Sequence, residues 1–435
     1  MAKREIRESL FAAFALVLVY ALLLTRFDLK LLFSDTILTG GDSASWYQVL
    51  ATLKNDFLPK GRLFGFSQAN FFGYLEGQHY FILPFLSAAL LGLAVPLTVA
   101  LKIATVAGGF ALPVTMFAAA TSITGRKRAG VLAAASSLLF LFNESYTIFG
   151  GNWLSTFAGE FCFSWAIALL PLFVASVVAD MGDRKRTGIL SGLLLGLIGL
   201  SHFFVFMPAF FLPFLSAFQL LPRLLRSGKK RSSPANSPEA GTTLRILVTY
   251  SIALCTMAFW LLPMAATRRW AQPISMIWYF SSLKDFARQT LAWVWVPLCI
   301  VFVAALFAGK TFRDERRFLA LTLYALAACA FLFFAAPGLG MPDIRFIPSA
   351  LIFCALGASI LVESWLNRSL GSLSGFFTSS MPSAAVLILA ISACAGAAAM
   401  ARNAPAWFRW NYAGYEAKSQ WPVLAGLGET YRGSP

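Results

Sequence analysis

Charge is scarce in this chain. Only 12% of its 435 residues are Asp, Glu, Lys or Arg, against 58% hydrophobic residues and a mean hydropathy of +0.72. A soluble globular domain carries about 25% charged residues, so the composition excludes an ordinary water-soluble protein. Histidine is scarcer still: His79 and His202 are the two in the chain, too few for a multi-histidine metal centre. The six cysteines, Cys162, Cys255, Cys299, Cys329, Cys354 and Cys394, all fall in apolar stretches with no CxxC spacing. They read as small buried hydrophobes, and neither a disulfide framework nor structural zinc follows. No internal repeat is visible.

What the chain has instead is long apolar runs, several near or above the roughly 18 residues that span a bilayer. Spans are expected at about 9–26, 129–143, 160–179, 187–203, 204–221, 246–264, 289–308, 318–336, 346–365 and 383–401. The net charge of +16 raises nucleic acid as a partner, but its distribution excludes one. The basic residues cluster between apolar runs, in "GRKR" (125–128), "DRKR" (183–186), "RLLRSGKKR" (223–231) and "RDERR" (313–317). That is the positive-inside pattern. It predicts a multi-pass protein of the cell (inner or plasma) membrane with a cytoplasmic N-terminus, outer segments at 27–80, 143–160, 264–288 and 337–346, and an extracytoplasmic tail from Arg402. The basic start and apolar run lack a small-residue cleavage motif at "LLLTRFDLK", so the first span is expected to remain uncleaved. Between residue 80 and Arg126 an odd number of crossings is needed, yet two apolar runs appear, at 81–97 and 99–121. Either one lies in the interface or re-enters, or the N-terminal orientation is reversed. The predicted fold is all-α, a polytopic transmembrane bundle of about 11 to 13 spans.

Residues 1–401 read as the membrane domain. Within it, 227–243 ("RSGKKRSSPANSPEAGTT") reads as a disordered cytoplasmic linker, and 371–383 as a milder break. Residues 402–435 read as an outer tail, the start of a truncated soluble domain, with Trp407 and Trp410 suited to an interfacial belt.

The first outer loop, 27–80, is far longer than a helix connection requires. In "DSASWYQVLATLKNDFLPKG" the residues Trp46, Val49, Leu50, Leu53 and Phe57 fall on one helical face. Two glycines precede Asp42, whose ordinary role there is to cap that helix. "FSQANFFGYLEGQHYFILPF" then brings Glu76 and His79 back toward the membrane.

In this arrangement the chain resembles the GT-C class of membrane glycosyltransferases, and within it the membrane-protein family labelled "6-pyruvoyl-tetrahydropterin synthase-related". The likeness is carried by "GGDSASWYQVL", "FLPKGRLFGFSQANFFGYLEGQHYFILPF", "NWLSTFAGEFCFSWAIALL", "SHFF" and "NYAGYEAKSQWP", in that order over nearly the whole chain. It implies a GT-C-like fold, with Asp42 as base or metal-linked acid. A divalent cation, Mg or Mn, would have Asp42 as its assigned ligand. The paired acids of many members are absent, because Ser43 follows Asp42. The pterin reaction itself is excluded: soluble enzymes of that name hold zinc with three histidines, and this chain lacks the third.

Transferring a sugar from a lipid phosphate needs a base for the acceptor hydroxyl and positive charge for the departing phosphate. Catalytic candidates are Asp42, Glu160, Glu76 and His79; helix N-terminal stabilisation is the competing account of Glu160. Substrate-binding candidates are Arg268, Arg269, Arg345, Trp46, Asn152, Trp153 and His202. The cations have a plainer reading as headgroup contacts or partners of Asp285 and Asp343, and His202 as a packing residue. The expected partners are membrane lipids, a polyprenyl-phosphate-sugar donor, and a glycan, lipid or protein acceptor. Competing functions are a flippase for lipid-linked glycans and a non-catalytic scaffold. Spans nearly free of internal charge, Lys102 and Glu363 excepted, favour the enzyme.

Overall fold

The computed structural model describes residues 2–68, 73–145, 147–182, 186–218, 238–271, 277–308, 312, 315–372 and 381–432. In chain order the helices are α1 (Ala2–Arg26), α2 (Leu29–Leu32), α3 (Ser43–Thr52), α4 (Ile82–Leu91), α5 (Leu97–Thr124), α6 (Lys127–Leu141), α7 (Trp153–Phe157), α8 (Phe161–Gly182), α9 (Ile189–Ser201) and α10 (Phe203–Phe218). They continue as α11 (Pro238–Thr267), α12 (Leu283–Gln289), α13 (Ala292–Phe307), α14 (Arg316–Ala335), α15 (Ile347–Ser372), α16 (Met381–Met400), α17 (Ala404–Tyr412) and α18 (Trp421–Thr430). Among the described residues the strands are one short antiparallel pair in the first loop, β1 (Gly65–Ser67) and β2 (Tyr74–Glu76), with Phe66 opposite Leu75.

Among the described residues, seven helices are long and apolar enough to cross a bilayer, or eight when the pair α12–α13, bent by 81°, is taken as one broken span. The bend falls at Leu291, a non-glycine residue at φ 56°. The expected 11 to 13 spans require shorter apolar helices, α9 and α10 among them, to cross as well. Apolar side chains point both ways. On α1, Ala12, Ala15, Val19 and Leu23 are buried, whereas Ile6, Leu10, Phe14 and Val17 face outward. A lipid surround removes the penalty on that outer stripe.

Helix α4 has ten residues, about 15 Å at 1.5 Å per residue, half a hydrocarbon core. Helix α5 has 28, about 42 Å. The helix in the run at 81–97 is therefore too short to span, and α5 is long enough by itself for the crossing that the parity argument needed. Near its N-terminus, Lys102 meets Leu31 O, Ser34 O and Tyr412 O at 3.1, 2.9 and 2.9 Å. At its opposite end Arg126 meets Glu315 at 3.1 Å and Glu363 at 2.5 Å, while Arg128 meets Glu363 at 3.3 Å. The first long loop and the "GRKR" turn thus lie at opposite ends of one membrane-length helix.

The boundary at Arg402 falls inside packed structure. Ala404, Phe408 and Tyr412 are buried on one side of α17, and the Glu144 carboxylate accepts from the amides of Asn403 and Ala404 at 2.8 Å, capping that helix. Most of the 227–243 linker lies outside the described residues, but its end, from Pro238, is already the first turn of α11.

Candidate functional site

Asp42 sits where α3 begins, and the expected capping bond is not made: its φ and ψ are −67° and −17°, and its side chain accepts from no helix amide. A capping residue normally adopts extended backbone to aim its oxygen at the first turn; helical dihedrals point this carboxylate away. It is exposed. Its amide donates to Ala158 O at 2.9 Å, which joins the first loop to the loop ahead of α8. Glycines make that approach feasible. Gly41 has φ +51° and a Cβ there would lie 2.2 Å from Ala158 O; at Gly159, φ +112°, a Cβ would lie 2.7 Å from Asp42 Cβ.

Glu160 follows Gly159 and directly precedes α8. Its two carboxylate oxygens meet the two terminal nitrogens of Arg345, a residue of the 3-10 turn Asp343–Phe346 that leads into α15. The side chains of Glu160 and Arg345 are 12% and 18% exposed, so the pair is largely withdrawn from water. Arg345 does not pair with Asp343. That carboxylate is buried and accepts from the amides of Ile344 at 2.7 Å and Trp278 at 3.2 Å, which fixes the turn that aims Arg345.

Trp46 and Tyr80 form the wall. The Trp46 indole donates to Gly159 O at 2.7 Å and its ring lies 4.6 Å from that of Tyr80. Burial first, then the thiol of Cys162 and the negative charge of Asp42, push the Tyr80 phenol well above its ordinary pKa, with Arg345 pulling the other way. Tyr80 was not among the sequence candidates; its place directly after His79 was the available signal.

The remaining candidates sort by position. The His79 ring shares a 3.2 Å hydrogen bond with Thr267, and burial holds its pKa below the ordinary histidine value. Thr267 precedes the exposed turn of Arg268, Arg269 and Trp270, in which the Arg269 guanidinium lies 5.0 Å from the Trp270 ring centre. These two arginines are therefore at the rim beside His79, not in contact with the Arg345 pair. Glu76 is 1% exposed and its oxygens accept from Gln48 at 3.2 Å, within the loop's own packing. Asn152 caps α7 through Ser155 N at 2.9 Å and donates to Asn143 O at 2.7 Å. Trp153 is fully buried against Phe27 and Phe157. His202 is buried among Phe81, Phe163 and Phe204, with ring centres 4.2, 4.5 and 5.5 Å away. Asn152, Trp153 and His202 thus hold the fold around the site. Among the described residues no group of three or more His, Cys, Asp or Glu is placed to hold a metal ion. The one assigned ligand, Asp42, has beside it a carboxylate already occupied by an arginine, so this donor set does not fit a resident divalent cation.

Two solved structures share this architecture. The oligosaccharyltransferase of Archaeoglobus fulgidus in its apo form superposes with a TM-score of 0.55 at 14% identity, covering 98% of this chain and 58% of its own. The oligosaccharyltransferase AglB of Archaeoglobus fulgidus, in complex with an inhibitory peptide and a dolichol-phosphate, gives 0.55 at 16% identity, covering 97% and 58%. Both are GT-C class enzymes, and the polytopic helical fold is the GT-C one. The chain spans just over half the length of these relatives. No family model matches the chain, and no curated protein matches it; the likeness to the "6-pyruvoyl-tetrahydropterin synthase-related" family rests on its sequence motifs alone.

Proposed function

We propose that this protein is an integral membrane glycosyltransferase of GT-C type. It takes a sugar from a polyprenyl-phosphate carrier and passes it to an envelope glycan, lipid or protein on the outer face of the membrane. The observation that carries the reading is the Asp42 carboxylate, which makes no capping bond, within electrostatic reach of Arg345 in the Glu160–Arg345 pair, at the α5 end opposite the basic turn. The shared fold, and the dolichol-phosphate in the AglB complex, support a lipid-linked donor. In this reading that end of the bundle is extracytoplasmic and the N-terminus is cytoplasmic.

The chemistry follows from the positions. An acceptor hydroxyl loses its proton to Asp42 as its oxygen bonds to the anomeric carbon. The bond from that carbon to the phosphate oxygen breaks, and its electron pair leaves with the phosphate. Arg345 meets the growing negative charge in a site largely closed to water, where electrostatic stabilisation is strongest. Arg268 and Arg269, exposed at the rim, draw the anionic head group in from the membrane surface.

The test is sugar transfer from radiolabelled polyprenyl-phosphate-sugar in proteoliposomes. Label passing to an acceptor is the expected result. Lipid movement without cleavage would make the protein a flippase, and neither transfer nor movement would make it a scaffold; each overturns the proposal.

A further inference from the structure

We propose that the working cation of this site is Arg345 itself, with Glu160 as its positioning residue, so that no divalent metal takes part. The inference rests on the function proposed above and assigns the electrostatic component of that same site.

The geometry of the pair is the first support. A guanidinium has five N–H donors in a planar fork, and a carboxylate can accept two of them side by side. Both terminal nitrogens of Arg345 meet the two oxygens of Glu160. One hydrogen bond, from Arg345 Nη2 to Glu160 Oε1, and the ion-pair contact of Nη1 with Oε2 orient the guanidinium and leave its other N–H groups for phosphate oxygens. A lysine could supply the charge but not the plane.

The second support is what the pair does to Glu160. A magnesium or manganese ion needs near-octahedral oxygen ligands at short distance and uses one or two carboxylates for its protein contacts. Glu160 could serve only by surrendering Arg345, whose side chain would then be a largely buried cation without its counter-ion. Asp42 would remain as the other acid of the site. It is one residue from the Gly41 contact and packs its Cβ against Gly159, so it reaches the same reactant without joining the fork.

The third support is the frame. Asp343 fixes the turn bearing Arg345 through the amides of Trp278 and Ile344, and Glu160 is tied to Trp46 through the preceding Gly159 carbonyl. Each half of the pair has its own anchor, as a preorganised electrostatic group requires.

The experiment reads metal uptake and transfer on the same purified, lipid-reconstituted protein after EDTA treatment. By manganese EPR the wild type is expected to take up no stoichiometric Mn²⁺, and transfer should stay within about twofold of the untreated rate. Arg345→Lys should lower kcat about a hundredfold, with no restoration by Mg²⁺ or Mn²⁺. Arg345→Ala should be rescued by added guanidinium ion when Glu160 is present and not in the Glu160→Ala background, an effect that loss of packing alone would not give. One Mn²⁺ bound per wild-type chain and lost in Asp42→Asn or Glu160→Gln would overturn the proposal, as would transfer abolished by EDTA and restored by Mn²⁺. Metal uptake is read whether or not sugar moves: absence of transfer with no Mn²⁺ bound counts against the glycosyltransferase function alone.

Discussion

The carbonyl of Tyr412 closes on the ammonium of Lys102 at 2.9 Å, across 310 positions of chain. Four further contacts complete the cage: Leu31 O at 3.1 Å, Ser34 O at 2.9 Å, Ser34 Oγ at 2.8 Å and Thr36 Oγ1 at 2.6 Å. A fully buried lysine is tolerable only when its donors are satisfied. Here it ties α5 to the first loop and to α17. Lys102→Met should leave those oxygens without a donor and destabilise the protein by about 3 kcal/mol or more. The check is thermal unfolding in detergent together with limited proteolysis, which should release the segment from Ala404 onward.

Gly41 sets the approach of Asp42 to the loop before α8. Gly41→Ala brings a Cβ to 2.2 Å from Ala158 O at φ +51°, so it should cost about 1–3 kcal/mol and displace Asp42. Gly61→Ala is the control: φ is +64° but nothing lies within 4 Å of the added Cβ. Its cost should be smaller and transfer unaffected. Melting temperature and transfer rate, measured on both variants, separate strain from misplacement.

Much of the fold was legible because its cause is local. Apolar runs of bilayer length announce themselves, and α3 followed by a π-helical turn at Leu53–Phe57 buries Leu50, Leu53 and Phe57 from the stripe the sequence displays. The break at "AVPLTVALK" between the two apolar runs was visible, yet hydropathy alone could not say that the helix before it stops at Leu91 after ten residues. In the tail, Trp407 and Trp410 suggested an interfacial belt, while the burial of Ala404, Phe408 and Tyr412 on α17 came only with the structure. The site was harder. Glu160 and Arg345 were both candidates, but they meet over 185 positions, and no spacing rule links a residue ahead of α8 to one ahead of α15. The missing cap at Asp42 depends on dihedral angles that the sequence motif does not reveal.

Sidedness has its own prediction. In a background with the native cysteines replaced, Ser45→Cys and Lys127→Cys lie near opposite ends of α5. An impermeant maleimide added outside sealed, right-side-out vesicles should modify position 45 and spare position 127 until the membrane is opened. Labelling with the reverse preference would turn the proposed orientation over.

Tyr80 provides a test by pH. Its phenol is held protonated by burial, by Cys162 and by Asp42, so in the folded protein its pKa lies above the ordinary value of about 10. The native state then keeps a proton that the unfolded chain releases as pH rises past about 10. Stability from this group is present below that pH and lost above it. Thermal melts of the wild type should fall more steeply than those of Tyr80→Phe above about pH 10 and run parallel below it. The transfer rate should show no inflection from Tyr80 near neutral pH.

The central claim is that the Asp42 carboxylate takes the acceptor proton, and the direct measurement is single-turnover sugar transfer by Asp42→Asn beside the wild type. Because that side chain makes no capping bond, the variant should melt within about 0.5 kcal/mol of the wild type. Its rate should fall by about 10²–10⁴-fold. Transfer at the wild-type rate by a folded, inserted Asp42→Asn protein would contradict the account.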